Sequence, residues 1–220
     1  ADELRTSHGT TSLVVAADLG AAGDVDRVLA EAAKHDVGLF VAAAGFGTSG
    51  KLLDQPVAAE LDMIDVNCRA VVAMTHAIGR RMASRGSGGI VLMSSLLAFQ
   101  GVPRATTYAA TKAFIQSFAE GLRTELKPLG VDVIASAPGP IASGFAGRAN
   151  MTMGLAQPPT AVARTTLMAL GRRTTVRPGW LAKALEWSLA PLPRRGRVSI
   201  LAQVMRGMAG DTPPSREAAS

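Results

Sequence analysis

Residues 90–116, IVLMSSLLAFQGVPRATTYAATKAFIQ, form the stretch from which the rest of the chain is best interpreted. The opening run IVLM is apolar throughout, which is typical of a strand that is buried on both faces of a parallel sheet. The run ends at Ser94 and Ser95, and a loop rich in turn-forming residues follows. A helix is then predicted from Thr106.

Three polar side chains of this stretch are spaced so that they can meet. Tyr108 and Lys112 are four residues apart, so they lie on one face of the predicted helix. Ser95 lies at the carboxyl end of the strand, which is the edge where parallel α/β sheets bind their ligands. A hydroxyl, a phenol and an ammonium group can therefore converge at one point.

Such a convergence has a chemical use. A free tyrosine has a pKa of about 10 and transfers protons poorly at neutral pH. A lysine cation beside it would favour the phenolate and lower that pKa, so that the phenol becomes a general acid or base. The same four-residue spacing also occurs in ordinary helices, and the pair alone does not define a site.

The complete string resembles the active-site segment of the short-chain dehydrogenase/reductase family, which reads strand, Ser-Ser, loop, Tyr-x-Ala-x-Lys. Those positions are here Ser94, Ser95, Tyr108, Ala110 and Lys112. The resemblance implies an NAD(P)-dependent oxidoreductase that interconverts a carbonyl and an alcohol. It implies that Tyr108 is the general acid/base, that Lys112 lowers its pKa and holds the nicotinamide ribose, and that Ser95 orients the substrate oxygen.

A fourth residue, Asn67, lies in the apolar string MIDVNCRAVVAM of a helix predicted over residues 58–84. An amide among apolar side chains is costly unless it is paired. The resemblance implies a catalytic asparagine that holds a relay water. The plainer interpretation is a core polar group whose hydrogen bonds are satisfied.

The resemblance also implies a dinucleotide site for NAD or NADP, without choosing between the two. Besides Tyr108 and Lys112, the implied cofactor-binding residues are Asp18, Leu19, Ala43, Ala44, Gly45, Pro138, Gly139, Ile141 and Ser143. Ala42 and Ala43 stand where the family has two asparagines, so contact there would be made by the backbone alone. Ser143 stands where the family usually has threonine.

Residues 45–50, GFGTSG, fit the phosphate-loop pattern G-x-G-x-x-G after a predicted strand. A phosphate loop passes directly into a helix, whose N-terminal amides hold the pyrophosphate. Residues 51–56, KLLDQP, intervene here, so we do not interpret 45–50 as that loop. The family's own turn, Thr-Gly-x-x-x-Gly-x-Gly, does not occur in the sequence.

Alternating strands and helices predict an α/β fold with a doubly wound, Rossmann-like parallel sheet. Strands are predicted at 10–17, 37–44, 88–95 and 131–136. We expect one domain over residues 1–209 and a disordered tail over 210–220. Relative to the family, the first strand-helix-strand unit and its glycine turn are missing. We expect an N-terminally truncated chain or part of a longer protein, and the remaining possibility is a short protein with an altered sheet. Without that unit, 37–44 would be an unpaired edge strand.

The substrate is expected to be a small carbonyl or alcohol of apolar or lipid-like character. This expectation depends on a loop over residues 144–159, which carries Met151, Met153 and Leu155 where the family has a substrate lid. The family also forms homodimers or homotetramers. The resemblance implies such an assembly through helices 58–84 and 106–126, with Val71, Val72, Ile115 and Phe118 at the contact.

The composition excludes some structural and functional classes of protein. The net charge is +6, aromatic residues make up 4%, and Cys68 is the single cysteine, which excludes a disulfide framework. No signal peptide and no uncharged run long enough for a membrane span is visible, so we expect a cytoplasmic protein. Aromatic residues are not interleaved with the basic ones, so we expect no nucleic-acid partner.

Two alternatives stay open at this point. The basic C-terminal helices could make a peripheral membrane contact. The chain could also be a non-catalytic module of the same fold that binds a partner or a membrane surface, which the missing glycine turn favours. The intact set of Asn67, Ser95, Tyr108 and Lys112 favours the enzyme.

Overall fold

The computed structural model describes residues 2–149 and 156–208. Met151, Met153 and Leu155 of the expected substrate lid, and the expected tail 210–220, lie outside these ranges. The described strands form one parallel sheet in the order β1-β2-β3-β4. They are β1 (Leu39–Ala42), β2 (Gly88–Met93), β3 (Val131–Ser136) and β4 (Thr175–Val176).

Nine α-helices are described around this sheet. They are α1 (Asp2–His8), α2 (Ala22–Ala32), α3 (Val57–Ile64), α4 (Ala70–Arg85), α5 (Thr106–Leu126), α6 (Phe145–Arg148), α7 (Pro159–Ala169), α8 (Trp180–Leu189) and α9 (Arg194–Met208). Short 3₁₀ turns lie at Leu52–Asp54, Leu96–Phe99 and Lys127–Leu129.

Helices cover both faces of the central strands, which is why the fold is a doubly wound α/β sheet as predicted. Ile90 and Leu92 of β2 point to one face, where they pack with residues of α4 and α5. Val91 points to the other face, where it packs with Ala169 of α7. The side chains of a strand alternate between faces, so an apolar residue at every position predicts burial on both.

Helix 58–84 is interrupted where Asn67 lies. Residues 57–85 run from α3 through one π-helical turn, Asp65–Arg69, into α4. Such a turn adds a residue to the helix and is frequent at functional sites. It carries Asn67 into the protein interior, where the side chain is buried.

The predicted strand 10–17 is wrong. Residues 9–18 make no ladder with any described strand, and Leu13 and Val14 are exposed. A strand needs a hydrogen-bonding neighbour, and no described strand lies beside this segment. The edge predicted for 37–44 is present in the described part of the chain, because β1 pairs there only with β2 and exposes Leu39 and Val41.

Two of the side chains expected at a subunit contact belong instead to the core of the monomer. Val71 and Ile115 are buried in the cluster around Ile90. Phe118 packs partly against that cluster, while Val72 remains partly exposed. The helical faces that we predicted for assembly are therefore used in large part to cover the sheet, and the assembly itself stays a prediction.

Candidate active site

The carboxyl end of β2 and the first turns of α5 bring Ser95, Tyr108 and Lys112 together, as the spacing predicted. Ser95 caps the turn Leu96–Phe99, and its Oγ accepts a hydrogen bond from the backbone N–H of Leu97 at 3.2 Å. Because α5 begins at Thr106, Tyr108 lies in its first turn and Lys112 one turn later. All three side chains of the site are buried.

Lys112 is held by the last carbonyl of β2. Its Nζ donates to the backbone oxygen of Met93 at 2.9 Å and lies 5.7 Å from the centroid of the Tyr108 ring. Ser94 Oγ donates to the Lys112 backbone oxygen at 3.0 Å, which ties α5 to the end of the strand. Burial lowers the pKa of Lys112 to about 8.

The pKa of Tyr108 moves in the direction opposite to the one expected. Burial raises it to about 12, and a hydrogen bond with Ser95 opposes this only in part. The ammonium of Lys112 donates to the Met93 oxygen, and desolvation of the buried phenol is the larger influence on the pKa of Tyr108. Tyr108 is therefore a neutral phenol near pH 7 and carries a proton that it can donate.

Asn67 uses its amide to brace the loop that follows β1. Its Oδ1 accepts from the Phe46 N–H at 3.1 Å, and its Nδ2 donates to the Phe46 oxygen at 2.9 Å and to Thr111 Oγ1 at 3.1 Å. Thr111 in turn donates to the Tyr108 backbone oxygen at 2.8 Å. The satisfied core amide is thus observed, and a relay water on Asn67 stays a prediction.

Thr111 was missed by the sequence reasoning. It lies between Tyr108 and Lys112 on α5 and is buried. The available signal was a polar residue three positions after Tyr108, which places it close to the inward face of the helix.

A cavity of about 740 Å³ opens at this edge of the sheet. The predicted site residues that line it are Ala43, Gly45, Ser95, Tyr108, Lys112, Pro138, Gly139, Ile141 and Ser143. Asn67, Asp18, Leu19 and Ala44 are not among the lining residues. Asp18 instead belongs to the turn before α2, where its Oδ1 accepts from the Gly20 N–H at 2.9 Å.

The donor set of the cavity fits the nicotinamide end of a dinucleotide. Hydroxyls of Ser95, Tyr108 and Ser143 and the ammonium of Lys112 line one space, which suits a ribose and a carboxamide. The adjoining backbone is closely packed: a Cβ on Gly45 would come within 2.8 Å of Asn67 Oδ1.

The described residues provide no comparable site for the pyrophosphate. After residues 45–50 the chain makes the turn Leu52–Asp54, and α3 begins only at Val57. Residues 45–50 therefore do not lead directly into a helix, in agreement with our rejection of that pattern as a phosphate loop.

Most of the cavity wall is apolar, and the last two helices supply much of it. The apolar lining residues beyond those already named are Phe46, Met93, Leu96, Leu97, Phe145, Leu185, Leu201, Val204 and Met205. Phe145 also lies against Tyr108, with ring centroids 5.3 Å apart. No motif marks α8 and α9, so the C-terminal helices were expected but their place at the cavity was not.

The short chain dehydrogenase family model matches residues 1–154. The chain belongs to the short-chain dehydrogenase family, a family of oxidoreductases, which confirms the resemblance seen around Tyr108 and Lys112. None of the described helices combines the length and the apolar character that crossing a membrane requires.

Two relatives show the extent of the similarity. Dehydrogenase/reductase SDR family member 7B of Danio rerio is 34% identical over 131 residues, which is 59% of this chain and 42% of the relative. The 7beta-hydroxysteroid dehydrogenase of Collinsella aerofaciens is 31% identical over 133 residues, which is 60% of this chain and 51% of the relative. The chain thus spans about half the length of the curated relatives that it matches.

Solved structures cover more of the chain. A 7beta-hydroxysteroid dehydrogenase structure superposes with a TM-score of 0.81 at 25% identity, over 91% of this chain and 80% of that one. A short chain dehydrogenase from Burkholderia cenocepacia J2315, solved in complex with NADP, superposes with a TM-score of 0.73 at 26% identity, over 85% and 77%.

Proposed function

We propose that the protein is an NAD(P)-dependent oxidoreductase that interconverts a carbonyl and an alcohol on an apolar or lipid-like substrate. The observation that carries the proposal is the convergence of Ser95, Tyr108 and Lys112 in one largely apolar cavity. The NADP complex of the Burkholderia relative supports a nicotinamide cofactor, without deciding between NAD and NADP.

Each polar group has a distinct part in this proposal. Ser95 donates a hydrogen bond to the substrate carbonyl and holds its oxygen beside the phenol. Tyr108 is a neutral phenol near pH 7. It donates its proton to that oxygen in reduction, and the phenolate accepts a proton back in oxidation. A bound nicotinamide supplies or receives the hydride.

Lys112 and the backbone around the cavity would position the cofactor. The Lys112 pKa of about 8 leaves most of its ammonium charged at neutral pH, so it can donate to ribose hydroxyls. Ser143 and the turn at Pro138 and Gly139 line the same space and would hold the carboxamide.

The apolar wall supports a bulky hydrophobic substrate. Side chains such as Leu97, Leu201 and Met205 favour hydrocarbon over water, and methionine adapts to irregular shapes. Two of the similar proteins are named a 7beta-hydroxysteroid dehydrogenase and a very-long-chain 3-oxoacyl-CoA reductase, and a steroid and a very long acyl chain both have a large apolar part.

The test is turnover with bulky apolar ketones and with small polar ones, each with NADPH or NADH, followed by nicotinamide absorbance and product analysis. Tyr108→Phe removes only the phenolic hydroxyl, so we expect turnover to fall by about 10² to 10⁴-fold while cofactor binding is kept. Thr106→Val removes a hydroxyl from the exposed start of α5 and serves as the matched control.

Two outcomes would contradict the proposal. Turnover that survives Tyr108→Phe would remove Tyr108 as the proton donor. Absence of both turnover and dinucleotide binding in the folded protein would favour the alternative, a non-catalytic module of the same fold, which the lack of a described pyrophosphate site supports.

A further inference from the structure

Both tryptophans of the chain lie on one outward face of α8. Trp180 and Trp187 are seven residues apart, so they point in nearly the same direction, and they are 68% and 80% exposed. The opposite face of α8 is buried through Ala182 and Leu189. Large aromatic side chains that are exposed together on one helix face indicate an interaction surface rather than an ordinary solvent-exposed surface.

The charge of the chain is concentrated in the same part of the sequence. Residues 156–208 contain nine basic residues and one acidic residue, Glu186, for a net charge of +8, while the rest of the chain carries −2. Lys183 lies between the two tryptophans on the exposed face of α8, and Arg194 and Arg195 are exposed where α9 begins. An anionic partner is therefore favoured.

The outward side of α9 connects this region to the cavity. Ile200 and Val204 are one helical turn apart and exposed, while Leu201 and Met205 point inward. Val204 is 44% exposed and also lines the cavity, so it lies at the mouth. An apolar molecule that enters beside Val204 reaches Leu201 and Met205 directly.

We propose that α8 and α9 dock on the surface of an anionic lipid bilayer, with the tryptophans at the headgroup level and the basic side chains against the lipid phosphates. Tryptophan is the side chain most typical of the membrane interface, and lysine can extend its charged end to the headgroups while its stem stays in an apolar environment. Juxtaposed basic residues add attraction to anionic lipid.

Other occupants fit the surface less well. A second copy of the chain would bring the same positive charge against this one, which opposes pairing of the two surfaces. Nucleic acid would satisfy the charge but would not bury two tryptophans that share a helix face with Ala184. The proposal extends the proposed function but does not rest on it, because docking is measured without turnover.

The tryptophans provide the assay. Since Trp180 and Trp187 are the only tryptophans, the intrinsic fluorescence of the full chain reports on α8 alone. With vesicles of phosphatidylcholine and phosphatidylserine we expect a blue shift and flotation of the protein with lipid. With phosphatidylcholine alone, or at high salt, both signals should decrease strongly.

Two variants test the two components of the surface. Lys183→Glu should weaken binding to the anionic vesicles by on the order of tenfold or more, because it reverses a charge on the docking face. The double variant Trp180→Ser and Trp187→Ser should lose flotation. Leu53→Ser, an equally drastic change at an exposed apolar residue outside α8 and α9, should bind as the unmodified protein does.

Four results would overturn the proposal. They are no binding to either vesicle, equal binding of Lys183→Glu to anionic vesicles, a concentration-dependent dimer that protects the tryptophans without lipid, and a blue shift with duplex DNA in place of vesicles. Circular dichroism on each variant establishes that it is folded before its binding is compared.

Discussion

Val41 and Val91 are paired neighbours in adjacent parallel strands, yet 46% of the first is exposed and 2% of the second. The residue type and the ladder are the same, so the difference comes from what surrounds each strand. Among the described strands, β2 has a strand on either side and helices over both faces, whereas β1 has only β2 beside it. Burial in this sheet is therefore set by neighbours rather than by the apolar content of a strand.

The same division separates the two ends of the expected cofactor site. Ser95, Tyr108 and Lys112 belong to the interior around β2 and are buried. Asp18, which the resemblance implies would contact the adenine, and its neighbour Leu19 precede α2 and are not among the residues that line the cavity. The described contacts build the reacting end of the site and leave the adenine end without comparable support.

The largest change in stability is expected at Asn67, which joins the loop after the exposed strand β1 to the protein interior. Asn67→Leu keeps the side-chain size but leaves the Phe46 N–H and oxygen, and Thr111, without their partner. Each unsatisfied buried group costs about 1–3 kcal/mol, so the free energy of unfolding should fall by roughly 3 kcal/mol or more. Urea unfolding measures it.

Asp65→Asn provides the control, since it changes an exposed ion pair with Arg69 in the same π-helical turn and should alter stability by less than about 1 kcal/mol. If Asn67→Leu were as mild as this control, the loop after β1 would be held by something other than Asn67.

The second-largest change in stability is expected to depend on pH, because the amine of Lys112 is buried beside β2. The pKa of Lys112 is about 8 in the folded protein, against an ordinary value of 10.5 that we take for the unfolded chain. Between these values the unfolded state holds one more proton, so the free energy of unfolding should rise with pH, by roughly 1 kcal/mol per unit between pH 8 and 9. Above pH 9 the raised pKa of the buried Cys68 thiol, about 11, acts in the opposite direction. Lys112→Met should remove this slope, whereas Lys51→Met, at an exposed lysine, should keep it.

Unfolding curves at several pH values measure this slope. An identical slope in the protein with and without Lys112 would mean that the ammonium stays solvated, and the buried position of Lys112 would then be wrong.

Local sequence predicted the elements whose ends carry strong signals. The helix predicted from Thr106 to about Leu126 is observed as Thr106–Leu126, because Pro128 and Gly130 end it. Strand 131–136 is likewise observed at its predicted bounds. The strand predicted at 10–17 is wrong because an apolar pattern shows that a segment is apolar. It does not show whether a neighbouring strand lies beside the segment to pair with it.

The residues of the candidate site could likewise be predicted only in part. Ser95, Tyr108 and Lys112 could be placed together because a strand and the next helix of one segment carry them. Leu201 and Met205 could not, since their helix reaches the cavity from the far end of the chain. The direction of the Tyr108 pKa also depended on burial and on the Met93 carbonyl, which no spacing of residues reveals.

The third-largest change in stability is expected at the paired valines Val41 and Val91. Val91→Ala removes two methyl groups from a packed interior and should lower the free energy of unfolding by about 2 kcal/mol. Val41→Ala, the matched change in the next strand, should cost about 0.5 kcal/mol or less. Denaturant unfolding of both variants under one condition compares them, and equal costs would show that the two strands are equally covered.

The smallest change in stability, and the sharpest test of the edge, is expected from Val41→Lys. A lysine at an exposed edge keeps its charge in water, so the free energy of unfolding of residues 1–220 should stay within about 0.5 kcal/mol. An unpaired apolar edge is a template for pairing with other chains, and a charge on it opposes such pairing. Aggregation followed by light scattering should therefore become slower, while Val91 and the cavity behind it stay unchanged. A cost of several kcal/mol would instead show that a second copy of the chain covers Val41 in solution, and the contrast between β1 and β2 would then hold for the single chain and not for the assembly.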